Sequence, residues 1–97
     1  MAAEVSVKCD VFKYKSFYRV RIKTLEGFVW EAVFEKHKVF DTMGEANESV
    51  PIKGRVNAFV ITHNSTFASI EFPVEDKKIG KRINIPLNCI WPPPSSG

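Results

Sequence analysis

The sequence predicts an all-β domain, a small six-stranded antiparallel barrel or strongly coiled sheet of the OB or SH3-like kind. Six short segments alternate apolar with polar residues, as half-buried strands do. Turn-forming residues separate these segments, and only residues 43–49 leave room for one short helical turn, which Gly44 and Pro51 limit. Six strands that share an apolar face favour closure, because open sheet edges invite aggregation.

The alternation is clearest in the first segment, where Val5, Val7, Cys9 and Val11 alternate with charged or polar neighbours. Because side chains in a strand alternate between its two faces, this pattern puts all four side chains on one face. The six predicted strands are 5–11, 18–23, 28–34, 56–60, 68–72 and 83–87. We expect turns between them at 15–16, 26–27, 41–54, 64–65 and 76–80.

The first hairpin can be tested for register, because residues opposite one another must share a face. A two-residue turn would set Lys23 against Trp30 and mix charged with apolar faces. A three-residue loop at 25–27, with Gly27 in the left-handed conformation, sets Ile22 against Trp30 instead. The bulged three-residue loop is therefore predicted.

The second hairpin turns at 64–66 by the same criterion. This loop pairs Val60 with Ile70 and Thr62 with Ala68, all facing inward. The outer face then carries an unusually apolar set of side chains. These candidates for a protein interface are Phe59, Ile61, His63 and Phe67.

The composition fits one globular domain of 97 residues, since 44% apolar and 26% charged residues exclude disorder of the whole chain. No apolar run approaches the roughly 18 residues of a membrane span. Residues 1–8 lack the basic and apolar regions of a signal peptide, so a cytoplasmic protein without membrane contact is expected. The domain is predicted to cover 1–91, and the Pro- and Ser-rich residues 92–97 to form a disordered tail.

A net charge of +3 permits nucleic acid as a partner without requiring it. Basic residues at every second position of the second strand would lie on one face and contact phosphates, and exposed aromatic rings would stack on bases. The nucleic-acid candidates are Lys13, Lys15, Phe17, Arg19, Arg21 and Lys23. The predicted register also sets Glu31 opposite Arg21, so a solvated, self-neutralised face is the preferred interpretation of this stripe.

The expected function is therefore a non-catalytic interaction or assembly module that docks a protein partner, or a second copy of itself, through the apolar outer face. Coverage of that face by the chain itself, through Phe40, Val50, Ile52 or the Ile90-Trp91 end, is about equally favoured. The alternative function is binding of single-stranded DNA or RNA by an OB or cold-shock-like module through the basic strand.

Neither a metal, a cofactor nor an enzymatic reaction is expected. The four soft metal ligands, Cys9, His37, His63 and Cys89, lack the local spacing of a zinc site. No glycine-rich phosphate loop, nucleophile elbow or H-E-x-x-H pattern occurs in the sequence. A third interpretation places an apolar ligand inside the barrel, although side chains normally fill a barrel of this size. Its lining would be Tyr18, Phe28, Trp30, Phe34 and Phe72.

Overall fold

The computed structural model describes residues 3–73 and 82–93 and has the predicted architecture, a nearly closed antiparallel β-barrel. Six strands follow one another in the order β3-β2-β1-β5-β6-β7. Two short strands complete the sheet, β4 against β5 and β8 against β1. The strands are β1 (Ala3–Tyr14), β2 (Phe17–Lys23), β3 (Val29–Glu35), β4 (Val39–Phe40), β5 (Ile52–His63), β6 (Phe67–Glu71), β7 (Arg82–Pro86) and β8 (Ile90–Trp91).

The long strand β1 holds the barrel together, because its two halves have different partners along one edge. Its first half pairs with β8, where Val7 lies opposite Ile90, and its second half pairs with β2. Along the other edge it pairs with β5 from Ala3 to Val11. Neighbouring strands rotate by roughly 20–25° relative to one another, so a strand of this length coils and brings β8 back to close that side.

The core consists of the inward side chains of every strand and is built around three aromatic rings. Trp30 stacks on Phe72 with ring centroids 4.4 Å apart, and Phe34 meets both rings edge-on. Phe28, which the alternation predicts to line the barrel interior, is 73% exposed. It closes the β2–β3 loop, where its backbone carbonyl accepts the Thr24 N–H, and so its ring lies beyond the end of the barrel.

The predicted register of the β2–β3 hairpin is confirmed. Ile22 lies opposite Trp30 and Val20 opposite Ala32. Gly27 has φ 94°, and its N–H donates to the Thr24 carbonyl over 3.0 Å. The left-handed glycine therefore completes the bulged three-residue loop, and both apolar faces point into the core.

The predicted register of the β5–β6 hairpin is correct at Val60, which pairs with Ile70, and wrong by one residue nearer the turn. Thr62 lies opposite Ser69 rather than Ala68, because a bulge occurs at Ile61. The Asn64 side chain causes the difference: its Oδ1 accepts the Phe67 N–H, and its backbone pairs with Phe67 as well. This Asx turn shortens the loop by one residue, and the bulge restores the apolar register beyond it.

Residues 43–49 form no helical turn and follow an irregular path instead. The short helical turns are two 3-10 segments elsewhere, Lys36–Lys38 before β4 and Leu87–Cys89 before β8. The turn predicted at 76–80 lies outside the described residues, as does the tail from residue 94. Pro92 and Pro93 are exposed and have no regular secondary structure.

Substitution of Gly54 by alanine is expected to destabilise the barrel. Gly54 is buried on β5 opposite Cys9, and an added Cβ would approach Val11 Cγ2 at 2.8 Å and Thr42 Cγ2 at 3.3 Å. Such overpacking costs about 1–3 kcal/mol of unfolding free energy. Urea unfolding of Gly54→Ala and of Asn57→Ala, an exposed position on the same strand, measures the difference; equal midpoints would contradict the close packing here.

Candidate functional site

The outward side chains of β1 and its neighbours form one continuous surface, here called the β1 face. It exists because the inward positions of β1 alternate with outward ones along the whole strand. Its members are Trp91 of β8, Ser6, Lys8, Asp10, Phe12 and Tyr14 of β1, Phe17, Arg19, Arg21 and Lys23 of β2, and Lys53, Arg55 and Asn57 of β5. From Ser6 to Tyr14 it extends about 26 Å, at the usual strand rise per residue.

Two cations stand directly opposite each other at the centre of the β1 face. Lys8 pairs with Arg55 across β1 and β5, with Cβ atoms about 5 Å apart in such pairs. Arg55 meets Asp41 only through Nε at 3.8 Å, and Lys8 has no carboxylate partner among the described residues. Like charges in this position destabilise a sheet, so this pair is a place where a bound anion would be favourable.

The Arg55 side chain is held in place from the β8 side. Its Nη1 donates to the Ser6 hydroxyl over 3.2 Å, and that hydroxyl donates to the Trp91 carbonyl over 3.1 Å. The next outward pair of the same two strands is Asp10 opposite Lys53, and its charges are opposite. Lys53 Nζ donates to Asp10 over 2.8 Å. This hydrogen bond, together with the charge of Asp10, raises the pKa of Lys53.

The basic stripe of β2 is partly neutralised, as its register predicted. Arg19 and Arg21 both reach Glu31 of β3 at 3.4 Å. Their guanidinium groups also lie over the Phe12 ring, at 4.5 and 4.7 Å from its centroid, and Phe12 is only 3% exposed. Phe12 therefore holds the two arginines in place but offers no ring face of its own to a base.

Exposed aromatic side chains lie at both ends of the β1 face. Trp91 is 63% exposed at one end; Tyr14 and Phe17, opposite each other, are 43% and 39% exposed at the other. The Lys15 ammonium lies 5.6 Å from the Tyr14 ring centroid. The surface therefore combines a cationic centre with aromatic ends.

The structure brings together most of the basic-strand candidates, but not all. Phe17, Arg19, Arg21 and Lys23 lie on the β1 face, and Lys15 lies at its end in the turn. Lys13 is paired with Tyr18 and projects from the other side of the strand. Alternation along the sequence does not predict Arg55, Lys53 and Trp91 as members of this surface, because their place beside β1 depends on pairing between distant segments.

The apolar outer face proposed from the sequence is partly covered. Phe59 and Phe67 are half-buried, and Ile61 is 36% exposed. Phe59 lies between Glu4 and Glu71 on the neighbouring strands, and Phe67 lies opposite Pro86. The bulge at Ile61 turns His63 to the side of Ala68, away from this patch. Neither Phe40, which pairs with Arg55, nor Trp91, which pairs with Ser6, lies opposite it.

An open cavity of about 540 Å³ lies between the β2–β3 loop and β7, lined in part by Phe28, Trp30 and Ile83. Its polar groups form a chain in which the Ser69 hydroxyl donates to Asn84 and the Asn84 amide donates to Glu26 over 2.9 Å. The hydrogen bond from Asn84 lowers the pKa of Glu26. Because the serine faces an amide rather than a base, this arrangement does not activate a nucleophile.

Within residues 3–73 and 82–93, no three side chains among His, Cys, Asp and Glu come together as metal ligands would. Over the same ranges there is no helix with the length and apolar character needed to cross a membrane. No protein-family model, no curated protein and no solved structure shows significant similarity to the chain.

The two cysteines are expected to differ in reactivity. Burial, with a smaller effect from Asp10, raises the pKa of the Cys9 thiol to about 12, whereas Cys89 is partly exposed. The thiolate is the reactive form, so iodoacetamide at pH 8 should alkylate Cys89 and leave Cys9 unmodified in the folded protein. Peptide mass mapping with and without urea measures the alkylation of both cysteines. Equal labelling of Cys9 and Cys89 in the native state would show that the Cys9 thiol is not buried.

Proposed function

We propose that this protein is a non-catalytic module that binds single-stranded nucleic acid on the β1 face. The observation that carries the proposal is the Lys8–Arg55 pair, two like charges held opposite each other in the middle of a surface with aromatic ends. A phosphate between them replaces repulsion by attraction. Phosphate contacts by lysine and arginine supply most of the affinity of such proteins.

The charge of the β1 face supports this function. Six cations lie on it, Lys8, Arg19, Arg21, Lys23, Lys53 and Arg55. Asp10 lies on it, and three further acids border it: Glu31 on β3, Glu4 before Ser6 on β1, and Asp41 beside Arg55. With these four acids ionised, the six cations still leave the surface positive, so it attracts a polyanion while the protein as a whole is only mildly basic.

The aromatic side chains favour an unpaired strand over a duplex. Exposed rings stack on bases whose faces are free, and stacking contributes about 1–3 kcal/mol per base. Bases in a duplex are already stacked on one another and reach a protein mainly through their edges. The length of about 26 Å suits a few nucleotides, in line with the roughly 4–16 that small OB-type barrels occupy.

Salt-dependent binding of a fluorescein-labelled oligothymidine, followed by fluorescence anisotropy, tests the proposal. The double variant Lys8→Ala, Lys23→Ala should bind more weakly and reduce the slope of log Kd against log salt by about 1.4, because each phosphate contact to a single strand contributes about 0.7. Arg82→Gln is the matched control, since Arg82 lies on β7 and pairs with Glu71. Absence of binding at low salt, or equal loss in the control, would refute the proposal.

A second variant, which is expected to strengthen binding, tests the same proposal. Glu31→Gln removes the carboxylate shared by Arg19 and Arg21 without changing the shape of the side chain. Both guanidinium groups then become available to phosphate, so the oligothymidine should bind more tightly and with a steeper salt dependence. Unchanged affinity would mean that the nucleic acid does not reach β2.

Docking of a second copy through the patch at Phe59, Ile61 and Phe67 is the second candidate function. The exposure of Ile61 supports it, because this residue is 36% exposed on the same side of β5 as the half-buried Phe59. Sedimentation velocity at increasing protein concentration should then show a dimer that Ile61→Asp abolishes and Asn88→Asp, on the exposed 3-10 turn, retains. A monomer at every concentration would exclude this self-association.

A further inference from the structure

We infer that the Trp91 end of the β1 face is a subsite for one nucleotide, with its base on the Trp91 indole and its phosphate between Lys8 and Arg55. This inference rests on the proposed function and names the part of the ligand that each end of the site recognises. The starting observation is the pairing of β8 with β1, which places Trp91 opposite Ser6. A row here means the outward residues that lie opposite one another on neighbouring strands, so Lys8 belongs to the next row. Two residues along a strand correspond to about 7 Å.

The position of Trp91 is determined by its neighbour in sequence. Ile90 is 4% exposed and lies opposite Val7 in the core, so the next residue of an extended strand must point outward. The Ser6 hydroxyl also donates to the Trp91 carbonyl. The indole is therefore attached to a backbone anchored on β1, while its own surface is largely open to solvent.

The phosphate position is linked to the same serine. Ser6 accepts a hydrogen bond from Arg55 Nη1 and so turns the guanidinium towards the β8 side of the face. Lys8 stands directly opposite Arg55 and forms no ion pair with a described acid, since the nearby Asp10 is paired with Lys53. A nucleotide whose base lies on Trp91 places its phosphate within the reach of these two long side chains, and the charges are complementary.

The other polar group in this row favours a nucleotide over a bare anion. Asn57 lies opposite Ser6 and is exposed. Its amide can both donate and accept, as the edge of a base or a sugar hydroxyl requires. The row of Trp91, Ser6 and Asn57 thus carries no charge, whereas the next row, Lys8 and Arg55, carries two positive charges. Base and phosphate have separate places.

The subsite is tested with 5′-AMP, adenosine and inorganic phosphate as probes. The two indole N–H signals in a ¹⁵N correlation spectrum report on Trp30 and Trp91, and Trp91→Phe identifies the second. We expect 5′-AMP to shift the Trp91 signal at lower concentration than adenosine does, and phosphate alone to leave it in place. In Lys8→Ala the advantage of 5′-AMP over adenosine should disappear. Equal shifts of the wild-type Trp91 signal by 5′-AMP and adenosine at the same concentrations would overturn the subsite.

Oligothymidine binding separates failure of the subsite from failure of the proposed function. Trp91→Ala should weaken binding by about 5- to 150-fold, whereas Trp91→Phe, which keeps a ring, should recover most of the affinity. Arg82→Gln is again the control. Full affinity in Trp91→Ala would refute the subsite and leave the nucleic-acid function standing. No binding by the wild type at low salt would refute both. Because Trp91 is exposed, thermal unfolding of the variants should match the wild type.

Discussion

The barrel depends on alternation along β1, a long strand that β8 and β2 share on one edge, as β4 and β6 share one edge of β5. Val7, Cys9 and Val11 are buried, and Lys8 and Asp10 between them point outward. β8 and β2 pair with successive parts of one β1 edge, and β5 pairs with the other edge. Because β1 has neighbours on both edges, it lies in the middle of the sheet, and so do its inward and outward side chains. The inward face anchors the core, and the outward face becomes the middle of the widest charged surface. Core and candidate site therefore have the same origin.

Apolar pairing explains which parts of the fold could be predicted. In the β2–β3 hairpin only one register joins apolar to apolar residues, and the structure has that register. In the β5–β6 hairpin the same criterion found the Val60–Ile70 pair but not the Asx turn of Asn64 or the bulge that it requires. Phe28 has the right parity for the core but lies in a loop. Local hydrogen bonds, which alternation does not report, decided both cases.

The candidate site was predictable only where it depends on neighbouring segments. Arg21 opposite Glu31 follows from one hairpin, so the partial neutralisation of the basic stripe could be stated from the sequence. Lys8 opposite Arg55 joins positions 47 residues apart by chain number, and the alternation of apolar residues alone does not distinguish β1–β5 registers that differ by two residues. Trp91 adjoins a proline-rich stretch, and nothing in its local sequence indicates that β8 returns to β1.

The two neighbouring pairs between β1 and β5 show why the central cations require an explanation. Asp10 and Lys53 form an ion pair at 2.8 Å, so this part of the sheet accommodates an acid opposite a base. One row further, at Lys8 and Arg55, the geometry is equivalent, yet both residues are cations. An acid at position 8 would suit the isolated domain better, since opposite charges across a sheet stabilise it by about 0.2–1 kcal/mol. The barrel therefore folds despite this row. Within the chain only Arg55 of the pair meets a described acid, Asp41 at 3.8 Å, and an anion from outside the chain would compensate both cations.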